Sequence, residues 1–133
     1  MIGLVLDTHA VVWLMIGSSR LSQAAHEAID AAAQSGAQIA VPSVAFVEIA
    51  YLEEKGSLSQ GTLDALFALL DDPRAALVEV PLTRRTAAAL RRVPRSDIPD
   101  MPDRIIAATA LDLNAPLVTS DARIRASQIE TIW

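Results

Sequence analysis

Hydrophobic and polar positions along this chain switch repeatedly between a strand-like and a helix-like spacing. Ile2-Gly3-Leu4-Val5-Leu6 is a continuous apolar run ending at Asp7, the pattern of a central parallel strand buried on both faces. A helix is predicted from about Thr8 to Met15, broken by Gly17-Ser18-Ser19. Ser22 to Gln34 spaces Ala25, Ile29 and Ala32 at helical intervals, and Gly36 follows as a stop. Gln38 to Val41 reads as a second strand. Pro42-Ser43 then opens a helix through Val44, Val47, Tyr51 and Leu52 that ends at Gly56, and Thr62 to Leu70 forms another, closed by Asp71-Asp72-Pro73.

Leu77 to Val80 predicts a third strand, and Thr83 to Arg92 a helix with Ala87 and Leu90 inward and arginines outward. Three prolines between Val93 and Pro102 exclude a regular ladder, so this stretch reads as a loop leading into a site. Asp100 can cap the helix that follows, with Pro102 in its first turn, and Asn114-Ala115-Pro116 ends it. Leu117 to Thr119 is a fourth strand with Asp121 just beyond its C-terminal end. A last short strand is expected within Ile129 to Trp133. Alternating strands and helices predict an α/β fold: a mostly parallel central sheet between two helix layers. In such sheets ligands bind beyond the C-terminal ends of the strands, where Asp7 and Asp121 point.

Composition narrows the classes. A length of 133 residues fits a single domain over 1–133, and 52 % hydrophobic content with 20 % charged residues describes a folded chain rather than a disordered one. No apolar run is long enough to span a bilayer, and the start lacks the basic region of a signal peptide, so a cytoplasmic protein without membrane attachment is expected. The absence of cysteine removes disulfides, thiolate zinc sites and thiol nucleophiles, and two histidines leave little scope for zinc. His9 and His26 lack paired ligand spacing and read as exposed helix residues; Trp13 and Trp133 read as packing residues.

A formal charge of −5 argues against coating nucleic acid by bulk attraction, but it does not exclude a nuclease, because acidic metal ligands contribute part of it. Ten arginines stand against the single Lys55, and arginine suits bidentate phosphate contacts. Four acids, Asp7, Glu48, Asp103 and Asp121, lie near strand–helix junctions in apolar settings where a lone carboxylate is costly to bury. A hard divalent cation offsets that cost through oxygen ligands, so the quartet points to a Mg²⁺ or Mn²⁺ site. One ion activates a water and stabilises phosphoryl charge; two would lie roughly 3.5–4 Å apart. Asp7 is the expected central ligand and Asp103 the next, with Glu48 and Asp121 acting directly or through water and Thr119 orienting that water. Taken singly, Asp7 and Asp121 also read as helix caps, Asp103 as a complement to its helix dipole, and Glu48 as a solvent-facing position. Arg104, Arg123 and Arg125 flank the acids as phosphate contacts, whereas the arginines at 84, 85, 91, 92 and 95 read as a solvated helix face.

Four segments in order, Leu4-Val5-Leu6-Asp7-Thr8-His9-Ala10, Ser43-Val44-Ala45-Phe46-Val47-Glu48-Ile49-Ala50, Asp100-Met101-Pro102-Asp103-Arg104-Ile105-Ile106-Ala107 and Leu117-Val118-Thr119-Ser120-Asp121, resemble the PIN-domain ribonucleases. Within that family the chain looks most like the VapC-type toxins of toxin–antitoxin systems. The resemblance covers nearly the whole chain. It implies a three-layer α/β/α sandwich, Mg²⁺- or Mn²⁺-dependent endoribonuclease activity on RNA, a cognate antitoxin and a homodimer. By motif match Asp7, Glu48, Asp103 and Asp121 fall on the family's acidic metal positions and Thr119 on a hydroxyl position beside them. Met101-Pro102 stands where many relatives read proline followed by an aromatic, which alters the expected substrate entrance. Asp100 is also acidic, and the third ligand is either Asp103 or shared with it; capping alone accounts for Asp100, which favours Asp103.

Other classes fit the same residues less well. A phosphotransfer enzyme of the haloacid-dehalogenase type needs a second aspartate two residues after the first, where this chain has His9, and a later lysine. A receiver domain lacks its lysine here in the same way. A non-toxin PIN nuclease, or a binding module whose apolar helices serve only assembly, remains as an alternative.

Overall fold

The computed structural model describes residues 1–133. Its elements in chain order are β1 (Ile2–Leu6), α1 (Thr8–Ile16), α2 (Gln23–Gln34), β2 (Gln38–Pro42), α3 (Val44–Glu54), α4 (Thr62–Asp71), β3 (Leu77–Val80), α5 (Arg84–Leu90), α6 (Met101–Leu113), β4 (Leu117–Val118), α7 (Ala122–Ala126) and β5 (Thr131–Ile132). The strands form one sheet in the order β3-β2-β1-β4-β5, and every neighbouring pair is parallel. The predicted α/β/α architecture is therefore the observed one.

Strand alternation builds the three layers, because successive side chains leave a strand on opposite faces. Leu4 and Leu6 of β1, Ile39 and Val41 of β2, and Val118 of β4 pack on one face against α1 to α4, through Val11, Ile29, Ile49 and Leu66. Val5, Ala40 and Leu117 point the other way, into a second core formed with Ala89 of α5, Ile106 and Ala110 of α6, and Ile124 of α7. The small residues on that second face let α6 approach the sheet closely. Burial of each large aliphatic side chain contributes roughly 1.5–3 kcal/mol, and both faces draw on it.

Several details differ from the sequence reading. In α5 the inward residues are Thr86 and Ala89, with Leu90 half-buried, whereas Ala87 is exposed. The helix is short and its start is fixed by a capping box between Thr83 and Thr86, which sets its rotation one residue away from the apolar spacing. β4 and β5 are two residues each, shorter than expected, because the chain leaves the ladder as soon as its edge hydrogen bonds are made. α7 is too short for helical periodicity to reveal. The expected apolar collar of Glu48 is partial, since Val47 is 69 % and Tyr51 61 % exposed.

Pairing of β1 with β2 shifts register between Ile2 and Leu4, with Gly3 at the irregularity. A Cβ at Gly3 would lie 2.9 Å from the Ala37 Cβ, closer than carbon atoms tolerate. Gly3→Ala is therefore expected to destabilise by about 1–3 kcal/mol through overpacking. Urea denaturation of the single and double variants tests this: adding Ala37→Gly to Gly3→Ala should recover part of the loss, and strictly additive losses would show that the two Cβ atoms do not collide.

Candidate active site

β1 lies at the point where the strand order reverses: β2 and β3 extend on one side of it, β4 and β5 on the other. A crevice forms at such a switch, just beyond the C-terminal ends of the two central strands. Asp7 follows β1 directly, and Thr119 and Asp121 follow β4. The pairing of Val5 with Leu117 and Leu6 with Val118 holds these ends level, and the Asp7 amide donates to the Val118 carbonyl at 3.2 Å.

Asp7 is 7 % exposed and Thr119 fully buried. The Asp7 carboxylate caps α1, its Oδ1 accepting from the Ala10 amide at 2.8 Å, and the Thr119 side chain lies close enough to hold its pKa down. Asp121 caps α7 in the same manner, its Oδ1 accepting from the Ile124 amide at 2.9 Å. Thr119 Oγ1 accepts from the Asp121 amide at 3.0 Å, so one side chain neighbours both acids. The capping explanation of these aspartates is thus correct. Each cap engages one carboxylate oxygen, which leaves the other face of the group for further contacts.

Glu48 reaches the same region from α3, where it accepts a hydrogen bond from the Thr8 hydroxyl at the start of α1. Asp103 enters from the first turn of α6. Asp100 is the cap of that helix, with Oδ2 accepting from the Asp103 amide at 3.1 Å, and Pro102 fixes the turn between them. Met101, beside them, is 69 % exposed at the rim.

Burial and neighbouring charge shift three of these side chains in the same direction. Burial raises the Asp7 carboxyl above the ordinary carboxylate range, against the pull of its hydrogen bonds from Thr119 and Ala10 and of the nearby His9. Burial likewise raises Glu48, with Asp100 and Asp7 adding to the effect. Asp103 is pushed up to about 7, first by burial and then by Asp100, Asp121, Glu48 and Asp7 in turn. Asp103 therefore lies within reach of the other three predicted acids and of Asp100.

No basic side chain forms an ion pair with any of them: the two salt bridges of the protein join Arg74 to Asp72 and Arg85 to Asp112, both on the surface. A cluster of carboxylates without a counter-cation is a donor set that fits a hard divalent ion. No three acids close on a common point as a finished cage.

The predicted basic residues divide. Arg123 and Arg125 are exposed on α7 without an ion-pair partner, two and four residues after Asp121. Arg104 is half-buried, and its Nε donates to the Val93 carbonyl at 2.8 Å and its Nη2 to the Leu90 carbonyl at 3.0 Å. Its expected role as a free phosphate contact meets a guanidinium already engaged. Arg85 pairs with Asp112, while Arg84, Arg91, Arg92 and Arg95 are exposed as expected.

Two residues of the site escaped the sequence reading. Thr8 anchors Glu48, and its place directly after Asp7 was the only available signal. His9 is exposed as expected, yet close enough to lower both Asp7 and Glu48, and its ring leans on Trp13 with centroids 5.4 Å apart.

Comparison with known proteins agrees with this geometry. The chain is 33 % identical, over 96 % of both sequences, to a protein named ribonuclease VapC22 of Mycobacterium tuberculosis. Among solved structures it is similar to VapBC2 from Rickettsia felis bound to a DNA fragment of its promoter, with a TM-score of 0.70 at 19 % identity over 98 % of this chain and 97 % of that one. It is also similar to a toxin–antitoxin complex from Klebsiella pneumoniae, with a TM-score of 0.64 at 20 % identity and the same coverage. The family model described as PIN domain matches residues 4–128, and the chain belongs to that family.

Proposed function

We propose that this chain is a divalent-metal-dependent endoribonuclease and the toxin of a toxin–antitoxin pair. The observation that carries the reading is the gathering of Asp7, Glu48, Asp103 and Asp121 at the ends of β1 and β4 with no basic partner, where burial first and the surrounding acids after it raise the Asp103 carboxyl to about 7. A perturbed cluster of this kind at the switch point of a parallel sheet is what a metal-assisted phosphodiester hydrolase requires. The name of the VapC22 relative supports RNA as the substrate.

When bound, Mg²⁺ or Mn²⁺ supplies an activated water and stabilises charge on the phosphate oxygens. Asp7 and Asp103 would hold it directly, with Glu48 and Asp121 completing the oxygen set. The rigid β1–β4 ladder fixes Asp7, and the Thr119 hydroxyl keeps Asp7 and Asp121 in register. Thr8 fixes the rotamer of Glu48. Arg123, exposed and unpaired near Asp121, would orient the RNA backbone by a phosphate contact.

The toxin reading brings a cognate antitoxin and a homodimer with it. Val47 and Tyr51 on α3 and Phe67 on α4 expose large apolar side chains beside the acid cluster's own helix. Such a face suits an amphipathic antitoxin segment. No helix is long and apolar enough to cross a membrane.

Four outcomes are expected. Millimolar Mn²⁺ should raise the melting temperature of the wild type and not that of Asp7→Asn; an equal rise in both would remove Asp7 from the site. Induction of the wild type in bacteria should halt growth and yield new RNA cleavage ends, while Asp7→Asn at matched soluble levels should lose cleavage by at least about a hundredfold. Equal toxicity would point to harm by binding or aggregation.

The third outcome concerns pH. A carboxyl whose folded pKa is about 7 binds more protons folded than unfolded between its unfolded value near 4 and that folded value. Stability of the metal-free protein should therefore fall as pH rises through that window. The penalty is absent below about 4 and complete above about 7. Asp103→Asn should accordingly melt higher than wild type at pH 8 in EDTA, with the gap closing toward pH 4. A gap independent of pH would show that Asp103 is not held in an acidic field. Fourth, Arg123→Ala should raise KM for RNA and lower the salt dependence of binding by about one charge while leaving the Mn²⁺ response intact. An unchanged KM at low salt would place Arg123 outside the substrate path.

A further inference from the structure

Arg104 follows Asp103 directly, yet its guanidinium does not answer the acid cluster. The Nε and Nη2 donors form the side edge of the guanidinium, the fork that matches a phosphate or carboxylate. Here that fork holds two backbone carbonyls, those of Leu90 at the end of α5 and Val93 in the turn beyond it. The last carbonyls of a helix lack intrahelical partners and carry the negative end of its dipole, so a guanidinium is well suited to them. Between Val93 and α6 the chain makes turns without a ladder, anchored only by the buried Val93 and Ile98. Arg104 bridges that gap from the other side.

The first turn of α6 sets where Asp103 stands relative to Asp7, Glu48, Asp100 and Asp121. Asp100 and Pro102 fix the turn internally, but both belong to the same turn and would move with it. The two bonds from Arg104 are the side-chain hydrogen bonds that tie this turn to another element. We propose that Arg104 is a positioning residue: by fastening the start of α6 to the end of α5 it holds Asp103 within the acid cluster, and it does not contact RNA.

This inference rests on the metal-dependent reading given above. The test uses the full chain as wild type, Arg104→Ala, Arg104→Lys and Asp103→Asn. Mn²⁺ affinity is read from thermal-shift titration. RNA affinity is read by anisotropy of a fluorescein-labelled mixed-sequence single-stranded RNA in Ca²⁺, at several salt concentrations. Arg104→Ala is expected to stay folded by circular dichroism and to lose about tenfold in Mn²⁺ affinity, the scale of an outer-shell ligand support. Its RNA affinity and salt slope should match those of the wild type. Arg104→Lys keeps one donor for the same carbonyls and should give a smaller loss, and it carries the test if the alanine variant does not fold.

Unchanged Mn²⁺ affinity in Arg104→Ala, or in Arg104→Lys if alanine does not fold, would overturn the positioning role and leave a purely structural tie. A loss of RNA affinity with a salt slope reduced by about one would overturn it in favour of a phosphate contact. A wild type that itself shows no Mn²⁺ response, indistinguishable from Asp103→Asn, would overturn the metal reading and this role with it.

Discussion

Like charges held together are the constraint around which this molecule is organised. In a parallel sheet every strand ends on the same side, so residues that follow neighbouring strands are brought together whether or not their charges agree. β1 and β4 are neighbours, and Asp7 and Asp121 follow them. α3 and α6 add Glu48 and Asp103 from opposite helix layers. The fold's two hydrophobic cores supply the energy that keeps these groups in place. Burial first, and the neighbouring acids after it, appear as raised proton affinity at Asp103.

The polar supports of the cluster follow one plan. Three of the acids are restrained by neutral donors: the Ala10 amide for Asp7, the Thr8 hydroxyl for Glu48, and the Ile124 amide for Asp121. Neutral donors fix geometry without cancelling charge, which leaves the negative field available to a cation. The arginines are placed elsewhere. Arg74 and Arg85 pair on the surface, and Arg104 serves carbonyls. No buried side-chain polar atom is left without a partner.

Much of this arrangement was legible in the sequence because its signals are local. The apolar run of β1 and the turn residues Gly36, Pro42 and Asn114 fix element type and limits within short windows, and Asn114 adopts the left-handed conformation its place implies. Asp7 and Asp121 were legible because each follows a strand and Asp103 because it opens a helix, whereas Glu48, in the middle of α3, stood out only by its apolar sequence neighbours. What was hidden depends on partners distant in the chain. Arg104 looks free until α5 is seen against α6, and the Thr8 to Glu48 bond spans forty residues. The rotation of α5 was misread because its capping box, not its apolar spacing, sets the face that Thr86 and Ala89 bury.

Strand order also imposes an order in time. β1 is made first, but its neighbour β4 and the outer β5 are the last strands in the chain. The Asp7 amide waits for the Val118 carbonyl, and the Thr119 amide in turn waits for the carbonyl of Ile132. A nascent chain emerging from the ribosome can assemble the α1 to α4 side of the sheet while Thr119 and Asp121 are still unmade. The acid cluster is thus closed by the latest-synthesised segment, and a chain interrupted before residue 117 carries Asp7, Glu48, Asp100 and Asp103 without Asp121 and without the Thr119 side chain beside Asp7. Completion of the site is coupled to completion of the strands that frame it.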